Sequence, residues 1–333
     1  MATSFFCSFK LLILITLITA IPLAFIISLE QSKHSTHLYQ YYSNGYMREC
    51  TKWDDAHRRF IVSYFEGGVG QILVPEKYDQ GNVLEEKMVI KEEELKGNAS
   101  LGMVIDKKRN RVLVVNADVK GFVYGGLAAY DLDSWRRVFL VQLSGPGDEK
   151  SFADDVAIDE DGNAYVTDCK SSKIWKVGVN GELLSTIRSP LFTHRQWYKD
   201  LVSLNGIVYH PDGYLLVMHT IGGKLYKVDI KTEEVTVIKV DGSLLFGDGI
   251  ELLSPTKLIV AASHPSARLV ESLDGWETAT VIAKFSGPLH RLATAATVKD
   301  GKVYLNHMFG MGFPKKTHTI VEAIFTPIKK INV

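Results

Sequence analysis

Three cysteines in 333 residues are too few for a disulfide framework. Cys7 falls in an N-terminal apolar run, which leaves Cys50 and Cys169. The repeat described below places these two in non-adjacent units, where a Cα approach under roughly 7 Å is hard to reach. Both are therefore expected as free buried thiols. An excess of charge is missing too: 38 acids balance 38 lysines and arginines, and no basic tract stands out. Nucleic acid is accordingly not an expected partner. Helical periodicity is nearly absent after residue 48, so the chain reads as many short strands. An apolar content of 46% excludes general disorder.

Only one long apolar run is present. Lys10 precedes residues 11–28, which carry no charge. The run is longer than most signal-peptide cores and slightly short for a secure membrane span. Residues 1–30 are read as a cleaved signal peptide or a retained single-pass anchor. A buried core helix fits poorly, because the run is apolar on every face. Either reading sends the rest of the chain into the secretory pathway, whether extracellular, vacuolar or ER. Asn98-Ala99-Ser100 is then a usable glycosylation sequon.

The short apolar runs recur as a unit. "DDVAIDEDGNAYVTD" from Asp154, "NGIVYHPDGYLLVMHT" from Asn205 and "DGIELLSPTKLIVAAS" from Asp248 share one pattern. Each has a small polar opening, an alternating strand, a turn and a second strand. Weaker copies start at Glu49, Gly102 and Ala293. A period of about fifty residues with four strands per unit predicts a β-propeller. The expectation is an all-β fold, a six-bladed β-propeller with four-stranded blades over 45–333. It is preceded by the targeting segment and a lead-in, 31–44. A strand from the far terminus, within 319–328, is a candidate to complete the ring.

In such a fold the first strand of each unit lines a central channel. The opening residues Glu49, Gly102, Asp154, Asn205, Asp248 and Ala293 then form a ring at one end. Four of these offer oxygen and three are carboxylates. That set suits a hard cation, calcium first and magnesium second, and argues against zinc or copper in the ring. The competing reading is that Asp and Asn merely cap strand starts. Asp159, Glu160 and Asp161 are read as a hairpin turn ending on Gly162. Asp168, His219 and His307 each lie fourteen residues past their ring position, which puts them at the channel rim with His264 nearby. Histidine there can move protons near neutral pH. Asp155 is expected to point away from the channel.

With those residues placed, the chain resembles the regucalcin, gluconolactonase, paraoxonase and diisopropylfluorophosphatase superfamily over about residues 45–325. "RECTKWD" is similar to its "EGPxWD", "ADDVAID" to "PNDVAVD", "LNGIVYHPDG" to "PNGLAFSPDG" and "GDGIELL" to "PDGLAVD". The resemblance implies a metal site of Glu49, Asp154, Asn205 and Asp248, with Asp248 also catalytic. It implies a calcium-dependent hydrolase of lactones, esters or phosphotriesters; the paraoxonase histidine pair has no residue-by-residue match, so His219 and His307 enter as candidate proton shuttles from their rim positions. Two departures stand out. Phe152 occupies the place of an arginine in the lactonase branch, which counts against sugar lactones. Asp154 replaces an asparagine, so three carboxylates face one divalent cation. Two other classes stay open: a metal-independent condensing or cyclising enzyme like strictosidine synthase, and a non-enzymatic propeller that binds a small molecule or protein. Blade six, residues 290–310, lacks the late glutamate the former would use. Aromatic residues in 186–200 and 116–126 suggest an apolar or aromatic small-molecule substrate.

Overall fold

The computed structural model describes residues 2–31 and 36–328 and divides into two units, Met1–His37 and Leu38–Val333. Among the described residues the first unit holds one helix, Ala2–Gln31. Its stretch Phe9–Glu30 has a mean hydropathy of 2.7 and the length to cross a membrane, as a signal sequence also can. Thr16 and Thr19 donate their hydroxyls back to the carbonyls of Leu12 and Ile15, at 2.9 and 2.8 Å, so even these polar groups are satisfied within the helix.

The second unit is built of strands joined by turns. Their order resolves into six antiparallel four-strand series. Two series are separate sheets. Two others join edge to edge through a parallel pairing at Gln40↔Val83, and the last two join in the same way at Lys239↔Thr278. The innermost strands are Arg48–Asp54, Ala99–Asp106, Ala153–Ile158, Leu204–His210, Gly247–Ser254 and Ala293–Lys299. Each packs against the next, and the sixth packs against the first, so they close a ring. The apolar core lies between neighbouring series. Leu113, Val115 and Leu127 meet Val156, Val166 and Trp175, for example, and Ile174 and Tyr165 meet Leu215 and Val217. Alternation along each strand supplies both faces of this packing.

The closing strand differs from expectation. Leu38–Ser43, inside the expected lead-in, pairs antiparallel with Lys316–Glu322, from Leu38↔Val321 to Ser43↔Lys316. The chain start thus completes the last series. The segment 319–328 is split: its first part belongs to the third strand of that series, and Thr326–Pro327 pairs with the edge strand Thr278–Phe285. Tyr39 and Tyr41 pack on one face of this strand and Leu38 on the other, each in a different apolar cluster, so both faces are covered.

Candidate functional site

Every innermost strand has the same irregularity near its start. Its pairing with the second strand slips between Arg48 and Thr51, Ser100 and Met103, Ala153 and Val156, Leu204 and Ile207, Gly247 and Ile250, and Ala293 and Ala295. A bulge of this kind re-aims one side chain. The residues that follow the last regular pair are Glu49, Leu101, Asp154, Asn205, Asp248 and Thr294. The polar four of the expected ring therefore hold equivalent places. The other two are corrected by one residue, from Gly102 to Leu101 and from Ala293 to Thr294, because register counts from the bulge and not from sequence similarity. Gly102 sits where the next strand presses in: a Cβ there would lie 2.6 Å from the Asp154 carbonyl oxygen. Gly206 is equally tight, with a Cβ 2.4 Å from the Asp248 carbonyl oxygen.

Three carboxylates meet at this ring. Burial, then Asp154 and Asp248, raise Glu49 well above the carboxylate range. Burial, then Asp248 and Asp155, do the same to Asp154. Asp248 is pushed up to about 7 by burial, although a hydrogen bond from the Asn205 side chain pulls the other way. The Cys169 thiol hydrogen-bonds Asp154, and Glu49 Oε2 is buried with no hydrogen-bond partner. The backbone beneath Glu49 is pinned. Thr294 Oγ1 donates to its carbonyl at 2.5 Å and Asn306 Nδ2 at 2.9 Å. Thr167 Oγ1 likewise donates to the Asn205 carbonyl at 2.6 Å. An all-oxygen set with mutual repulsion and an orphaned carboxylate oxygen fits a hard divalent cation.

Asp155 departs from expectation. It lines a small axial cavity with Glu49, Cys50, Lys52 and Asn205. Its Oδ2 accepts the Ile207 N–H of the next strand at 3.3 Å, and burial raises it to about 6 against the pull of Lys52. Further along the axis Lys52 Nζ pairs with Glu251 Oε2 at 2.6 Å. Beyond that pair the opposite end opens into a cavity of about 380 Å³ whose walls mix Ile105, Ile158 and Ile207 with Lys107 and Glu251.

The rim residues pair one step before the ring: Ala153↔Asp168, Leu204↔His219 and Ala293↔His307. All three are fully buried, whereas His264 is exposed. Asp168 Oδ1 accepts the N–H groups of Phe152, Lys170 and Ser171, so it shapes the turn. The acids of 159–161 form the expected turn: Asp159 accepts the Asn163 N–H and Gly162 has φ +87°. Cys50 and Cys169 are free and buried. Phe152 packs edge-on against Phe122 at 5.8 Å. Trp197 is 75% exposed on loop 189–203, which enters the strand of Asn205 at the ring's end. The same loop carries a group that the sequence did not reveal. His194 and Asp200 meet His219 with one ligand atom of each within 4.8 Å of the others.

Comparisons with known proteins bear on the fold. No protein-family model matches the chain. No curated protein matches it either. Solved structures do, as β-propellers. The nidogen/laminin complex superposes with TM-score 0.54 at 11% identity, over 75% of this chain and 85% of that one. A streptogramin B lyase gives 0.51 at 10%, over 85% and 98%. A protein of unknown function from Bacteroides caccae gives 0.52 at 12%, over 72% and 87%. At such identities the likeness is one of fold alone. The class the fold defines is a mostly-β propeller protein with an N-terminal apolar helix.

Proposed function

We propose that the six series are the blades of one propeller and that the chain is a calcium-dependent hydrolase of the gluconolactonase and paraoxonase kind. Its substrates would be apolar lactones, esters or phosphotriesters, met in the secretory pathway. The observation that supports this reading is the convergence of Glu49, Asp154 and Asp248 beside Asn205 at equivalent bulges. In this proposal those four residues hold calcium. Bound calcium supplies the positive charge that polarises a carbonyl or phosphoryl oxygen. Asn205 orients the Asp248 carboxylate through its hydrogen bond. Asp248 takes a proton from water or attacks as the nucleophile, and its burial strengthens it as a base. His219 and His307 lie below the surface, so a proton reaches His219 only through a neighbour such as Asp200, 3.4 Å from its Nε2. Phe152 and Phe122 make the place of the lactonase arginine apolar, which favours substrates poor in hydroxyls.

The test is metal analysis of the purified chain with a screen of aryl esters, lactones and phosphotriesters, with and without chelator. Turnover lost in chelator and restored by calcium is the expected result. Turnover that survives complete chelation would favour a metal-independent lyase or condensing enzyme, a reading supported here only by the fold shared with streptogramin B lyase. No turnover of any kind would favour a binding propeller.

A further inference from the structure

The cluster on loop 189–203 is chemically unlike the carboxylate ring. Short helical turns at Pro190–Phe192 and Trp197–Asp200 shape the loop, and Phe192 anchors it, fully buried against Tyr226 at 5.3 Å. Asp200 turns back onto His194, accepting its backbone N–H at 2.9 Å and its Nδ1–H at 2.8 Å. His219, at the end of Tyr214–His219, meets His194 edge to face at 4.5 Å. The Gly222 N–H donates to His219 Nδ1 at 3.1 Å, which leaves the ring proton on Nε2, 3.4 Å from Asp200 Oδ1. His194 Nε2 is buried without a hydrogen-bond partner, and His219 Nε2 has only the long approach to Asp200 Oδ1. The side chains are 6% and 0% exposed. A buried imidazole nitrogen with no partner, next to a second imidazole and a carboxylate, calls for a ligand to complete it. Residue 222 has to be glycine for His194 Nε2 to stay unobstructed, because a Cβ there would lie 2.8 Å from it.

We infer that His194, Asp200 and His219 bind a borderline divalent cation of the zinc class. Two imidazoles and a carboxylate are a common zinc donor set, and the fourth position is left to water. Loading sends the His219 Nε2 proton out through Asp200, which is partly exposed, and Nδ1 takes up a proton once the Gly222 turn releases it, so that Nδ1 no longer accepts from Gly222. The Gly222–Gly223 turn, with Gly223 at φ +59°, supplies the backbone freedom for that change. The cation ties the loop bearing Trp197 and Tyr198 to the strand beside Asn205, and so sets the shape of the ring's mouth. The site shares no residue with the carboxylate ring and stands or falls without calcium, although a cation on His219 takes that residue out of proton transfer.

The experiment uses the full chain in detergent, stripped of metal, with excess calcium present to saturate hard-cation sites. Cobalt(II) is titrated in and its visible ligand-field bands are followed. The wild-type chain is expected to bind one equivalent, displaced by zinc. His194→Ala and Asp200→Asn should each weaken binding by more than the roughly 10–100-fold typical of outer-shell partners. His194→Gln serves if the alanine variant does not fold, judged by near-ultraviolet circular dichroism. Asp248→Asn should leave the cobalt bands unchanged. Absence of a stoichiometric site in the wild-type chain, or equal binding by the His194 and Asp200 variants, would overturn the inference.

Discussion

The carboxylate ring and the histidine cluster lie at the same end of the molecule, yet they are built in opposite ways. The ring is drawn from separate innermost strands, each contributing one residue at a bulge. The cluster is drawn from one loop and one strand end, and its donors are mainly nitrogen. Charge separates them as well. The ring gathers like charges that raise one another's pKa. In the cluster, Asp200 accepts hydrogen from its neighbours. A strand scaffold can hold repelling groups because backbone pairing fixes them, whereas a loop must be held by the contacts of its own side chains.

The strongest way to break this contrast is Asp248→Asn. It is expected to cost about 10²–10⁴-fold in turnover. Calcium binding should weaken while the cobalt bands persist, and thermal melting would confirm that the variant is folded. Loss of both sites together would show that they are one unit. Acid sensitivity has a source outside both regions, at His318. Burial lowers this ring to about 4 while the Gly45 carbonyl accepts from its Nε2 at 3.0 Å. The unfolded chain protonates the same residue near the ordinary value of about 6.5. Stability is therefore present above that pH and falls as pH drops from about 6.5 to about 4, by up to about 3 kcal/mol. Denaturant melts of His318→Gln should show a shallower loss over that window. Gly206→Ala sharpens the comparison on the strand side. Its Cβ would press on the Asp248 carbonyl and cost about 1–3 kcal/mol, and calcium affinity should fall more than cobalt affinity. Trp197→Ala is the mildest change. Stability should move by no more than about 0.5 kcal/mol, while KM for aromatic esters rises.

Much of the ring was legible because it rides on a repeat. Asp154, Asn205 and Asp248 each open a strand with the same pattern, so their equivalence shows in one dimension. The errors at Gly102 and Ala293 arose where the pattern is weak and a bulge shifts register by one residue. The closing strand was missed because Leu38–Ser43 precedes the first unit, and only three-dimensional pairing joins it to the last. Asp155 was misplaced for a related reason: at a bulge, strict alternation no longer tells which residue faces the axis. His194 and Asp200 gave no signal at all. They stand on an irregular loop, 25 residues from His219 at the far end of the cluster, with no motif spacing to connect them.

The central claim is that Glu49, Asp154, Asn205 and Asp248 form one calcium site. Calorimetric titration of the chelator-stripped full chain with calcium tests it most directly. One calcium per chain is expected in the wild type and in His194→Ala, and none in a Glu49→Gln, Asp248→Asn double variant that remains folded. Equal calcium binding by the wild type and that double variant would contradict it.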